Sequence, residues 1–107
     1  MRQAYLEIAQ KIKTARGAVV LGHKGDAARA FRAALEELKF FPPERHRDIL
    51  LAHAYLGLYQ TFARPGEPVK LEIQEALHLG ISYARSSRDP IARAIAEECL
   101  EGLDIAL

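Results

Sequence analysis

The sequence predicts an all-α fold in which five helices form a single domain. Apolar residues recur at spacings of three and four along most of the 107 residues, as on one face of a helix. Proline and glycine interrupt this pattern at four places, and no segment alternates apolar and polar residues as a strand does. A chain of this length suits one compact domain. We therefore expect residues 1–107 to form two helical hairpins, residues 2–40 and 44–85, followed by a capping helix, residues 90–105.

The first predicted hairpin joins two amphipathic helices through a glycine-containing turn. The first helix is predicted over residues 2–21, and residues 22–25 interrupt its apolar pattern with two glycines. Asp26 is a favourable N-cap residue, so the second helix is predicted over residues 27–40.

The second predicted hairpin contains the central helix of the domain. Pro42 and Pro43 end the preceding helix, and the third helix is predicted over residues 44–62. Its apolar residues cover nearly the whole circumference, which is typical of a buried helix. Residues 64–68 form a turn with both proline and glycine, and the fourth helix is predicted over residues 69–85.

The fifth helix has good start signals and two apolar stripes. Asp89 is its predicted N-cap and Pro90 its first helical residue. One stripe would pack inward, and the other would remain for a partner or a second copy. The first stripe is Ile91, Ile95 and Cys99, the second is Ala92, Ala96 and Leu100, and Leu103 continues both. Because two-fold pairing closes such a surface on itself, we expect a homodimer, and a structural subunit that associates mainly with itself is an alternative function. Its self-association residues are predicted to be Ile91, Ile95, Leu100 and Leu103.

Small residues recur in both hairpins at spacings that allow close helix packing. In the second helix Ala27 is followed by Phe31 and Ala34. In the second hairpin the pair Leu56-Gly57 is followed by a similar pair, Ala76-Leu77, which begins nineteen residues after Gly57. Over residues 3–85 these spacings resemble the degenerate repeats of tetratricopeptide-like helical proteins. An unrelated five-helix bundle with close-packed alanines is the alternative.

This resemblance implies a non-catalytic module that binds other proteins. In such proteins the first helix of each repeat lines a concave groove, which here would be mostly apolar. The fifth helix, an apolar helix of a partner, or a second copy could fill that groove. The groove residues that the resemblance implies are Ile12, Arg16, Val19, Leu51, Leu58 and Phe62.

A second pattern lies in the third helix. Arg47 and His53, with Tyr55 two residues later, resemble the arginine–histidine signature of HEPN-type all-α domains, some of which cut RNA. The resemblance implies that the arginine holds a phosphate and that the histidine acts as acid or base. Six steps along a helix, however, place the two side chains about 240° apart. We therefore expect no enzyme activity and keep a HEPN-like domain that binds or cleaves RNA as an alternative.

Charge gives no indication of a nucleic-acid partner. The formal net charge is +1, and basic residues around the first hairpin are accompanied by Glu7, Glu36 and Glu37. No aromatic side chains lie between those basic residues to stack on bases. The expected partner is another protein or a second copy of this chain. The basic residues in question are Lys11, Lys13, Arg16, Lys24, Arg29 and Arg32.

Composition also predicts the cellular setting. The chain has one cysteine and no apolar run that resembles a leader or a membrane span, so a cytoplasmic protein is expected. The histidines lack the partners of a metal site, and no cofactor is expected. The absence of asparagine, with more arginine than lysine, is consistent with a thermophile source.

Overall fold

A computed structural model describes the backbone of residues 3–106 and the side chains of residues 3–103. This part of the chain is helical and contains no strand, which confirms the all-α prediction. It forms five helices, which are α1 (Gln3–Val20), α2 (Lys24–Leu38), α3 (Arg45–Phe62), α4 (Leu71–Ser87) and α5 (Pro90–Ala106). None of the helices in the described part is long and apolar enough to cross a membrane.

The central helix is α3, which packs against each of the other four. The backbones of α1 and α5 both approach α3 but do not approach each other within the described residues. In the same part of the chain, α2 packs on α1 and α3, and α4 packs on α3 and α5. Every helix therefore packs on helices that are one or two places away in chain order, and α1 and α5 each pack on α3.

The turn between α1 and α2 follows from Gly22. Its φ of 83° lies in the left-handed region that favours glycine. The Gly22 amide donates to the carbonyl of Val19 at 3.0 Å, and the His23 amide donates to that of Ala18 at 2.9 Å. These two bonds form a Schellman motif, which ends α1 and reverses the chain within two residues.

The predicted N-cap of α2 is wrong. Because the Schellman turn is so short, α2 already begins at Lys24, with His23 at the cap position and no side-chain cap hydrogen bond. Asp26 therefore lies inside the first helical turn, where it forms an ion pair with Arg29. An acidic side chain at this place still interacts favourably with the positive end of the helix dipole.

Two glycines mark the closest helix contacts. A Cβ atom on Gly57 would lie 2.4 Å from the ring of Phe31, so Gly57 lets α3 approach α2. A Cβ atom on Gly80 would lie 2.7 Å from the side chain of Leu56, so Gly80 lets α4 approach α3. The small-residue pattern assigned Gly57 to the second hairpin, opposite Ala76. Its tight neighbour is instead Phe31 of the first hairpin.

A side chain of α3 caps the C-terminal end of α4, where α4 meets α5. Arg88 has a left-handed φ of 58° and ends α4. The Nε atom of Arg45, at the start of α3, donates to the carbonyl oxygen of Ser87 at 2.9 Å. A basic side chain on the last carbonyls of a helix is a favourable C-cap. This contact holds the start of α5 beside α3.

Candidate functional site

A shallow groove lies between α1 and α3. It has a volume of about 300 Å³, and we call it the α3 groove. The α1 side contributes Arg16, Val19 and Val20, the α3 side contributes Gly57 and Gln60, and the ring of Phe31 forms its base. Since Gly57 has no side chain, the groove reaches down to that ring. His53, Gly57 and Gln60 follow one another at helical spacing on one face of α3.

Three side chains form a chain of contacts beside the groove, and one of them, Arg16, also lines it. One Nη atom of Arg16 lies 3.1 Å from Nδ1 of His53, and it also approaches the His53 carbonyl oxygen at 3.5 Å. The His53 Nε2 atom lies 3.4 Å from Oδ2 of Asp89. We call this chain of contacts, Arg16–His53–Asp89, the polar bridge. It joins α1, α3 and the start of α5.

Asp89 also caps α5, as predicted. Its Oδ2 atom accepts a hydrogen bond from the backbone amide of Ala92 at 2.9 Å. The same oxygen therefore satisfies the helix end and faces His53. This double role places the first turn of α5 directly beside the middle of α3.

The hydrogen-bond partners of His53 indicate which of its ring nitrogens carries the proton. A guanidinium group can only donate, so Nδ1 must accept from Arg16 and the ring proton lies on Nε2, where it is donated to Asp89. Burial lowers the pKa of His53 and the Arg16 charge lowers it further, whereas Asp89 acts in the opposite direction. The bridge therefore favours a neutral imidazole.

Arg16 is a half-buried cation without an ion-pair partner. Within the described residues, no carboxylate oxygen lies within 4 Å of its guanidinium group. Burial lowers its pKa, and the more distant Glu98 counteracts part of that effect. An arginine nevertheless remains protonated near neutral pH. The groove thus presents a charged hydrogen-bond donor beside the apolar side chains of Val19 and Val20.

The predicted groove residues separate into three groups. Arg16 and Val19 line the α3 groove as expected. Three of the others lie in the hydrophobic core, because α3 is surrounded by helices and uses its apolar positions for packing. These core residues are Ile12, Leu51 and Leu58, with 4, 7 and 2% of their surface exposed.

Phe62 lies at a different interface. The guanidinium carbon of Arg32 is 5.9 Å from the centre of the Phe62 ring, a cation–π distance. The Nε atom of Arg32 also donates to Glu72 at 3.0 Å. These contacts place Phe62 where α2, α3 and α4 meet. The groove is therefore smaller and more polar than the sequence predicted.

The buried face of α5 also differs from either predicted stripe. Its buried face consists of Ala92, Ala96 and Cys99, which combines members of both stripes. Among the predicted self-association residues, Ile95 and Leu100 are half-buried against the core. Ile91 and Leu103 are the exposed ones, at 65 and 39%. They lie near opposite ends of the helix and do not form one continuous stripe.

A larger cavity lies next to the α3 groove. Residues 63–69, in the connection from α3 to α4, form one wall, and the second half of α5 forms the opposite wall. Its volume is about 660 Å³, and we call it the loop cavity. Gln60 borders both the cavity and the α3 groove. Sequence patterns did not indicate this cavity, because its lining residues come from two separate parts of the chain, within residues 59–78 and 98–103.

Arg47 and His53, the two residues of the HEPN-like pattern, have different contact partners. Arg47 pairs with its neighbour Asp48 at 3.2 Å, whereas His53 belongs to the polar bridge. No contact described for either side chain involves the other. The rotation of about 100° per residue in a continuous helix explains this separation.

Ion pairs neutralise much of the basic surface around the first hairpin. Lys11 pairs with Glu37 at 2.6 Å, and Arg32 pairs with Glu72 at 3.0 Å. Arg29 is paired with Asp26. Three of the six basic residues around the first hairpin are thus paired, and Arg16 is the one that lines the α3 groove.

Sequence reasoning missed the polar bridge as a unit. Arg16, His53 and Asp89 were each considered, but for separate roles. Their spacings of 37 and 36 residues are nearly equal, which is the signal that could have connected them. In the small-residue pattern, Ala34 and Ala76 are 42 residues apart, so that pattern does not align these three positions.

Comparison with known proteins identified no relative of this chain. No protein family, curated protein or solved structure matches the chain. The fold and the site therefore define its class, which is an all-α protein with five sequentially packed helices and a partly polar groove.

Proposed function

We propose that this protein is a non-catalytic, tetratricopeptide-like interaction module that binds a segment of another protein in the α3 groove. The observation that carries the proposal is Arg16, a half-buried cation without a carboxylate partner in the described residues, beside exposed apolar side chains. A partner segment could place an apolar side chain against Val19 and Val20 and an acceptor group on Arg16.

The order of helix packing supports this proposal. Helices pack on those one or two places away in chain order, as in repeat arrays, whose units stack on their neighbours. Such arrays present one layer of helices as a binding surface. In this chain the polar bridge joins α1, α3 and α5, and the groove lies between α1 and α3.

Exposed apolar residues at the edge of the groove are also consistent with a binding surface. Val20 is 86% exposed, and the adjacent Leu21 is exposed as well. Burying an aliphatic side chain of this size stabilises a complex by about 1.5–3 kcal/mol. The edge could therefore contribute measurably to affinity without any change in the fold.

Site-specific photocrosslinking tests the proposal. The photoreactive amino acid p-benzoylphenylalanine replaces Val20 in the full chain, which is expressed in cells of its source organism. The matched control places it at Leu71, an exposed apolar residue at the start of α4 that does not line the groove. We expect a discrete adduct with another protein from position 20 and none from position 71.

Arg16→Ala supplies the second arm of this test. Loss of a charge-assisted hydrogen bond worth about 1.5–3 kcal/mol should reduce the adduct at position 20 by about tenfold or more. Circular dichroism checks that the variant remains helical. Equal adducts at positions 20 and 71, or an adduct unchanged by Arg16→Ala, would contradict the proposal.

The two alternatives have distinct outcomes. An adduct that contains only a second copy of this chain would favour the structural self-associating subunit, which the exposed Ile91 and Leu103 also allow. RNA cleavage that is lost in both Arg47→Ala and His53→Ala, with folding retained, would favour the HEPN-like domain.

A further inference from the structure

The loop cavity is open to solvent but deep enough to have a buried floor. Tyr59, Leu77 and Cys99 form part of its lining, and each keeps less than a tenth of its surface exposed. They come from α3, α4 and α5, so the floor lies where these three helices meet. A concave site of a few hundred to a thousand Å³ with a mainly apolar lining is typical of small-molecule binding sites.

A hydrogen-bonded β-turn fixes the backbone of the loop wall of the cavity. The amide of Glu67 donates to the carbonyl of Arg64 at 3.1 Å, and Gly66 has a φ of 76°. With Pro65 at its second position, this turn has the signature of a type II turn. The wall is therefore constrained before any ligand binds, which lowers the entropic cost of binding.

The loop is also tied to α4. The Nε2 atom of Gln74 donates to the backbone carbonyl of Val69 at 3.1 Å. Val69 itself packs against the hydrophobic core. Both ends of the loop wall are thus anchored, at the turn and at the start of α4, so the cavity is a feature of the folded chain.

Two uncharged polar groups of the lining lack protein partners. The Tyr59 hydroxyl and the Gln60 side-chain amide make no hydrogen bond with other residues in the described part of the chain. Burial raises the pKa of the Cys99 thiol to about 11, so the floor carries no thiolate at neutral pH. The cavity therefore offers an apolar, uncharged floor with one or two hydrogen-bonding groups.

The charged side chains of the lining do not favour an anionic ligand. They include one arginine and two glutamates, which are Arg64, Glu67 and Glu98, and the exposed imidazole of His78 also belongs to the lining. Because glutamates outnumber the arginine, a carboxylate or phosphate group would be repelled more than attracted. A neutral ligand avoids this cost and the larger cost of burying a charge on an apolar floor.

The volume of the loop cavity suits a small molecule. About 660 Å³ lies within the range of sites that bind a drug-sized molecule.

From these observations we propose that the loop cavity binds an uncharged, mainly apolar small molecule with one hydrogen-bonding group. The ligand would lie on Tyr59, Leu77 and Cys99, with its polar group near the Tyr59 hydroxyl or the Gln60 amide. This proposal does not depend on the proposed function, because the α3 groove and the loop cavity share no lining residue other than Gln60.

Fluorescence titration with N-phenyl-1-naphthylamine tests the proposal, because this probe is uncharged, apolar and carries one N–H group. We expect saturable binding at one site per chain. The anionic relative 1-anilinonaphthalene-8-sulfonate should bind about tenfold more weakly, since it would bring a charge to the apolar floor. Equal or tighter binding of the anion would overturn the assignment to neutral ligands.

Two glycines provide matched variants. Gly102 lines the cavity, and a Cβ atom there would meet nothing within 4 Å, so Gly102→Phe can occupy the space without a backbone clash. Gly17 on α1 is also exposed and open, but it lines neither the cavity nor the groove. Gly102→Phe should weaken probe binding by about tenfold or more, and Gly17→Phe by less than about twofold.

The only cysteine of the chain gives an independent measurement on the unmodified protein. Saturating probe should slow the reaction of Cys99 with methyl methanethiosulfonate by about tenfold, because the thiol forms part of the cavity floor. Tyr59→Phe should weaken binding by about two- to tenfold, the effect of one neutral hydrogen bond.

Three outcomes would overturn the proposal. They are no probe binding, binding that survives Gly102→Phe, and bound probe that leaves the reaction rate of Cys99 unchanged. Sedimentation of the two glycine variants tests another occupant. If the unmodified chain dimerises and only Gly102→Phe is monomeric, a second copy fills the cavity and the small-molecule proposal fails.

Discussion

The stripe of His53, Gly57 and Gln60 on α3 begins at the polar bridge and ends at the loop cavity, and these two regions are held together differently. At His53, side-chain hydrogen bonds connect α1, α3 and the start of α5. At Gln60, no side-chain hydrogen bond joins α3 to α5 within the described residues, and an open cavity remains. Side-chain hydrogen bonds connect the helices in the first region, whereas only packing contacts connect α3 and α5 in the second.

The residues that α5 places against α3 and α4 explain this difference. Asp89 anchors the first turn of α5 by capping it and by facing His53. The buried positions that follow are small, namely Ala92, Ala96 and Cys99. Small side chains permit a close contact near the anchored end but cannot fill the space behind the proline-containing loop. Polar contacts thus determine where α5 begins, and side-chain size determines whether a cavity remains.

The largest predicted effect is at Gly57, which lies between the two regions. Gly57→Leu should lower the free energy of unfolding by about 1–3 kcal/mol, because its Cβ would lie 2.4 Å from the buried ring of Phe31. Chemical denaturation followed by circular dichroism measures the change. Gly17→Leu is the control, since nothing lies within 4 Å of its Cβ, and it should not destabilise the fold. Equal stability of the two variants would contradict the close approach of α2 and α3.

The second prediction concerns the anchored region. Asp89→Ala should lower the free energy of unfolding by about 0.5–2 kcal/mol, because it removes the N-cap of α5 and the acceptor of His53. Asp89→Asn retains a capping oxygen and should cost less. Thermal or urea unfolding of the three proteins measures both changes. If alanine and asparagine cost the same, the cap at Ala92 does not contribute as the geometry indicates.

The third prediction is a pH dependence of stability that arises at His53. Burial and the Arg16 charge lower the pKa of His53 in the folded state, so the unfolded chain binds a proton at higher pH than the folded chain does. The free energy of unfolding should therefore fall as the pH decreases from about 7 through the folded-state pKa. Asp89, the other charged group facing the ring, opposes this shift only in part.

His53→Gln isolates this contribution. Glutamine does not titrate, and its amide can still accept from Arg16 and donate to Asp89. Urea unfolding at several pH values should give a smaller loss of stability on acidification for His53→Gln than for the unmodified chain. Parallel curves for the two proteins would show that His53 does not change its pKa on folding.

The smallest predicted effect is at the packed region. The Tyr59 hydroxyl has no protein partner in the described part of the chain, so Tyr59→Phe should change the free energy of unfolding by less than about 0.5 kcal/mol. Thermal unfolding measures this change. A larger loss would mean that the hydroxyl is satisfied inside the fold and is not available to a ligand in the loop cavity.

The helices themselves were predictable because their signals are local. The apolar periodicity, the prolines and the Asp89-Pro90 start signal depend on neighbours within a few residues, and they located all five helices. The start of α2 was misplaced because Gly22 closes a shorter turn than the sequence suggested. The candidate site was predicted less well, since only Arg16 and Val19 of the predicted groove residues line the α3 groove.

By itself, the sequence determined the all-α class, the number of helices and the buried position of α3. These properties follow from hydrophobic periodicity, which requires no knowledge of partners in space. Tertiary structure alone decided which glycine meets which helix, that Arg16, His53 and Asp89 form one bridge, and that a cavity remains beside Cys99. The physical reason is that packing depends on the volumes and directions of side chains from segments far apart in the chain, and spacing within one helix does not encode them.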